Sequence, residues 1–146
     1  KRPRQQAWLH WARALAFANK GNTASADAEA IEFEKSMAAF KEKVKRPEPT
    51  ELQVARMEMQ GHIELAKGQT EKALKQFEIA SKAERKLVYT EPPYYPRPVA
   101  EAWGHAAYAS GQKSLADRAY RTALEQYPGD VHAKPQANSL AAGIAK

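Results

Sequence analysis

The stretch "HAAYASGQKSLADRAYRTALEQYPGD", residues 105–130, decides the fold. Gly111 separates two segments with helical periodicity, and a glycine there supplies the positive φ that closes a helix C-terminus. Ala116, Tyr120 and Ala123 follow at intervals of four and three, the spacing of one buried helical face. Ser114 stands where the second helix needs an N-cap, with Asp117 three residues on as a capping-box echo. Pro128 and Gly129 stop that helix. The same offsets recur in "GHIELAKGQTEKALKQFEIA", residues 61–80. Gly104, Gly111, Ala116, Tyr120 and Ala123 correspond to Gly61, Gly68, Ala73, Phe77 and Ala80, and Thr70 is placed as the cap. Gly61 and Gly104 are the small residues expected where a partner helix crosses closely. A degenerate third copy lies at residues 7–33, with Gly21 at the turn, Thr23 as cap and Ala26 on the inner face.

Composition supports helices and narrows the function. The 146 residues suffice for one domain with a core, and 43% of them are apolar. Ala is abundant and β-branched residues are few, which favours helix. No apolar run approaches the ~20 residues that span a bilayer. Cysteine is absent, which excludes disulfides, zinc knuckles and thiol catalysis. The net charge is +6, with basic clusters at "KRPR" (1–4), "KEKVKR" (41–46) and "KAERK" (82–86). Aromatic residues do not alternate with these cations as a nucleic-acid stacking platform requires, and two of the clusters contain acids. They read as solvated helix ends and linkers, and neither nucleic acid nor lipid is the expected partner. There is no phosphate loop, nucleophile elbow or His-Glu-x-x-His motif, so no enzyme activity is expected.

The series of small residue, Gly, Ala, aromatic, Ala and Pro resembles the tetratricopeptide repeat. The unit at 97–130 carries it complete, and the unit at 54–87 has Arg85 in place of the proline. The spacing departs from the family's ~34 residues: Gly61 and Gly104 lie 43 apart, and Gly21 and Gly68 lie 47 apart. The additional residues are "KEKVKRPEPTE" and "LVYTEPPYYPRP", whose prolines cannot continue a helix. "TEPPYYPRP" (90–98) and Trp8-Leu9-His10-Trp11-Ala12-Arg13 are similar to segments of a group of bacterial tetratricopeptide proteins with an E-P-P motif before the last helix pair. The resemblance implies an all-α, right-handed solenoid of about three helix pairs, with units near 7–43, 50–88 and 97–130 in a single domain over 1–146. The chain starts at Lys1 rather than Met, and the resemblance implies the C-terminal part of a longer array. The tail, 131–146, is expected either to cap the array with a short helix from Leu140, begun by Asn138 or Ser139, or to fray.

What the resemblance implies for function is a scaffold or adaptor that binds a protein, as a peptide or partner helix, in a concave groove lined by the first helix of each pair. Its register places Trp8, Trp11, Glu58, Met59, His62, Leu65, Glu101, His105 and Tyr108 at the groove. Both later units then present Glu-x-x-x-His, as Glu58 with His62 and Glu101 with His105. Acids at these places argue against a clamp for acidic C-termini. Two imidazoles and two carboxylates also suit Zn²⁺ or another borderline divalent metal, so Glu58, His62, Glu101 and His105 form the alternative reading, a metal site. The wider expectation is a polar groove face, with several of the aromatics in the core. Trp103 is expected in the core and His10 in a helix seam, with no role for His132. "TEPPYYPRP" is read first as a stiff crossover pinned by its tyrosines. The second reading has it overhang the groove and bring Glu91, Tyr94 or Tyr95 to a ligand. Nothing in the chain separates a cytoplasmic from a periplasmic location.

Overall fold

A computed structural model describes residues 2–88, 90, 93, 95 and 97–144. Among them are seven α-helices and no strand: α1 Pro3–Asn19, α2 Thr23–Val44, α3 Thr50–Ala66, α4 Thr70–Glu84, α5 Val99–Ala109, α6 Lys113–Gln126 and α7 Ala133–Ile144. The chain divides into two compact units, 1–76 and 77–146, with the boundary inside α4.

Three helix-to-helix turns are built identically. Gly21, Gly68 and Gly111 have φ of 74°, 75° and 79°. Each glycine N–H donates to the carbonyl three residues back, on Ala18, Leu65 and Tyr108. The next N–H, of Asn22, Gln69 or Gln112, donates to the carbonyl five residues back at 2.9 Å. This paired closure satisfies the last carbonyls of the helix and requires the left-handed conformation at its glycine. The residue that completes it also begins the next helix: Ala26, Ala73 and Ala116 donate to the carbonyls of Asn22, Gln69 and Gln112. The caps therefore fall before the expected positions. Thr23 and Thr70 are first helical residues and Ser114 is the second of α6. Asn22 is the side chain that caps α2, accepting from Ser25 N–H at 3.1 Å.

In the first unit α1 packs most extensively on α2 and also on α3. Ala7, Ala14 and Ala18 of α1, Ala26 and Phe33 of α2, and Leu52, Ala55 and Ile63 of α3 are buried. Alanine at these places lets helices approach toward the short end of the usual ~8–10 Å. Arg4 joins α1 to α3 by an ion pair with Glu51 at 2.7 Å. The helix α1 starts at Pro3, earlier than the expected unit, because proline at the first position fits a helix start.

In the second unit α5 packs on α6, and α6 on α7. Trp103, Ala116, Tyr120 and Ala123 are buried, as expected, and so is Ala119. The prolines of the crossover delay α5 until Pro98 has passed, so α5 has 11 residues where α3 has 17. Glu84 at the end of α4 anchors that start: its Oε2 accepts from Val99 N–H at 2.7 Å. After Pro128 the chain turns at Asp130, whose Oδ1 accepts from His132 N–H at 2.9 Å and Ala133 N–H at 3.0 Å. That acceptor starts α7 at Ala133, so Asn138 and Ser139 lie within the helix instead of capping it. Ala133, Ala137 and Leu140 form its buried stripe.

Candidate functional site

Several polar groups of the first unit are paired with one another. Glu29 lies in the inner stripe of α2 between Ala26 and Phe33, and it is buried. His10 Nδ1 meets Glu29 Oε2 at 2.7 Å, and Arg13 meets the other carboxylate oxygen at 3.0 Å. His10 is thus in the seam between α1 and α2, as expected, held by a carboxylate that the sequence reading had not singled out. Trp8 and Trp11 pack edge to face, with ring centroids 5.3 Å apart. Glu58 is fully buried, with Oε1 3.7 Å from His62 Nε2. Leu65 is half-buried.

Met59 is buried at the floor of a cleft of about 890 Å³ between α2 and α3, where Ala30, Ile31 and Met57 also line the wall. Its charged rim is internally paired. Arg56 joins Glu34 at 2.6 Å and Glu48 at 2.9 Å, and Lys67 joins Asp27 at 2.8 Å. The Arg56 guanidinium, held first by Glu48 and then by Glu34, is pushed above its usual range, and Arg56 holds the Glu48 carboxyl below its own.

The second unit presents a different face. Glu101, His105 and Tyr108 recur on α5 at intervals of four and three, which aligns them along one side of the helix. Tyr120 of α6 lies beside this line, its ring 5.6 Å from the His105 ring and inclined at 68°. Burial pushes the Tyr120 phenol up to about 12, and the charges of Glu101 and Tyr108 add to the shift. His105 is exposed, Tyr108 is 53% exposed, and Glu101 is 7% exposed. No contact like that of Glu58 with His62 joins Glu101 to His105 among the described residues.

The four residues of the metal reading do not assemble a ligand set. Among the described residues no group of three or more His, Asp or Glu side chains is arranged to hold a metal ion, Glu58, His62, Glu101 and His105 included. No described helix is long and apolar enough to cross a membrane. Of the crossover residues considered for a ligand, Tyr95 is buried, while Glu91 and Tyr94 lie outside the described residues. Lys41, Lys43, Lys45 and Arg46 of "KEKVKR" are exposed.

Sequence reasoning overlooked three buried acids, Glu29, Glu84 and the Glu51 that pairs with Arg4. Glu84 was read inside the solvated cluster "KAERK", yet it is buried and holds the start of α5. The signal was its register, since Phe77, Ala80 and Glu84 continue one helical stripe. Glu29 sits in the stripe of α2 in the same way. No family model, curated protein or solved structure matches the chain.

Proposed function

We propose that the chain is a tetratricopeptide-like scaffold that binds a protein partner, as a peptide or helix, along the first helices of its pairs. The repeated glycine closure of the three turns and the packing of α1 on both α2 and α3 support the repeat reading. The observation that carries the binding reading is Tyr108. It stands more than half exposed on α5, in line with Glu101 and His105, while the inner face of the same helix is filled by Val99, Ala100, Trp103 and Ala107. An aromatic ring held on a rigid helix loses little conformational freedom on contact, which suits an interface anchor. Catalysis is no part of this reading.

The test is a selection of peptides from a displayed random library on the purified protein. Enriched peptides should bind in solution, and Tyr108→Ala should weaken them at least tenfold while melting like the parent. A selection that yields no binder, or binders indifferent to Tyr108→Ala, would defeat the proposal.

A further inference from the structure

Glu101 stands in the first turn of α5, where the helix dipole favours an acid, but it makes no capping hydrogen bond among the described residues. It is the third residue of α5, from where a carboxylate usually folds back onto the first backbone donors of its helix. Here the N-cap is Pro98, which has no N–H. The next donor, Val99 N–H, already binds Glu84 Oε2 at 2.7 Å. Glu101 makes no hydrogen bond or ion pair among the described residues, although it is 93% removed from solvent by its 7% exposure.

Its counterpart shows what a closed version looks like. Glu58 occupies the same repeat position, is fully buried and has His62 at 3.7 Å. In the second unit His105 turns its ring to Tyr120 instead, and Glu101 keeps a narrow window to solvent. Two cations of α6 are committed elsewhere. Arg118 lies over the Trp103 ring at 5.3 Å, and Arg121 pairs with Asp117 at 2.8 Å. The Glu101 carboxylate is partly desolvated and has no cation beside it among the described residues, and a cation brought to it would offset that cost. The His105 ring lies 5.6 Å from that of Tyr120, Tyr108 follows His105 on the same side of α5, and aromatic faces also attract cations.

From this geometry we infer that Glu101, with His105 and Tyr108 in line with it on α5 and Tyr120 beside that line, is the binding site for a basic side chain of the partner, a lysine ammonium or an arginine guanidinium. The inference deepens the peptide-binding proposal and rests on it. The charge complementarity comes from Glu101, and Tyr108 supplies the neighbouring apolar anchor. The Tyr120 phenol is raised first by its own burial and only then by the neighbouring Glu101 and Tyr108.

The selected peptides test it directly. They should carry Lys or Arg at a fixed distance from an apolar or aromatic residue. Replacing that residue by norleucine should weaken binding to the parent protein at least tenfold. Glu101→Gln should weaken the basic peptide by a similar factor and leave the norleucine peptide unchanged. The norleucine measurement uses the parent protein, so it stands even if the variant folds poorly. Enriched peptides with no basic position, or a basic peptide that binds Glu101→Gln as it binds the parent, would overturn the cation site while peptide binding survived. A second arm needs no peptide: arginine amide is titrated against the parent, and the ring resonances of His105 and Tyr108 are followed. If these move in the parent and not in Glu101→Gln, the cation site holds even should the library yield nothing. If the library yields nothing and the rings do not move, both proposals fall.

Discussion

A Cβ built on Gly104 would lie 2.5 Å from Cε1 of Tyr120, so the backbone of α5 rests directly against the ring of α6. Both residues are buried, and the ring's Cδ1 and Cζ lie at 2.7 and 2.8 Å from the same point. The contact ties a small residue on one helix to an aromatic residue on the next, sixteen positions later in the chain. Gly61 and Phe77, which stand at the corresponding places of the earlier copy in the sequence, are each buried.

Gly104→Ala should therefore destabilise the protein despite the better helix propensity of alanine. Propensity returns about 1 kcal/mol, while overpacking a filled site costs about 1–3 kcal/mol. A net loss of about 1 kcal/mol is expected from these two terms. The companion change Tyr120→Leu should recover part of it, because the obstructing ring is gone. Urea unfolding of the two single variants and the double variant measures the coupling. An unchanged or raised midpoint for Gly104→Ala would refute the close approach.

At Gly111 space is not the constraint, since nothing lies within 4 Å of a Cβ built there. The constraint is φ of 79°. Gly111→Asn should be tolerated best, Gly111→Ala should cost about 1 kcal/mol, and Gly111→Val should cost more, following the resistance of each residue to the left-handed region. Gly21 and Gly68 close their helices with the same hydrogen bonds, so the same order should hold there. Thermal melts of the nine variants check it, and a valine variant as stable as the asparagine one would contradict it.

The cap at Asp130 predicts a local effect. Asp130→Ala removes the acceptor of His132 and Ala133 N–H and should cost about 1 kcal/mol. Amide exchange should quicken in α7, around Ala137 and Leu140, and stay as it was in α1. Asp130→Asn keeps an acceptor oxygen and should behave nearly as the parent. Uniform quickening across both units would argue against a local cap.

Tyr120 predicts an alkaline effect with a definite sign. Its phenol is raised from 10.0 to about 12 in the folded protein, first by burial and then by Glu101 and Tyr108. The fold favours the neutral phenol, so the associated stability is fully present below pH 10 and is lost as pH rises through about 12. Tyrosinate absorbance, taken as the difference between the parent and Tyr120→Phe, should show this late titration. Glu101→Gln should bring it to lower pH. A Tyr120 that ionises with exposed tyrosines would remove the basis for placing Glu101 beside it.

The glycine turns, the inner faces of α4 and α6 and the delay imposed by the crossover prolines were all legible in the sequence. These features depend on residues a few positions apart, through backbone conformation and helical period, so a linear reading captures them. The position of the caps was misread by one or two residues. The residue that closes one helix here also opens the next, a double use that side-chain preference alone does not reveal. The start of α7 was missed for a related reason: Asp130 caps it through a turn that reads as a plain continuation of Pro128 and Gly129.

The fate of the acids was a matter for the tertiary structure. By sequence Glu58 and Glu101 are equivalent members of a repeat. In space one is closed beside His62, and the other lies without a partner among the described residues, next to Tyr120. Glu84 looked like part of a charged surface run and instead holds Val99 across 15 residues of chain; Glu29 holds His10 across 19. Local periodicity determined which residues form helices and where those helices turn. Which carboxylates are buried, and against what, was decided by the packing of helices far apart in sequence, because a charge's environment is set by its neighbours in space and not by its neighbours along the chain.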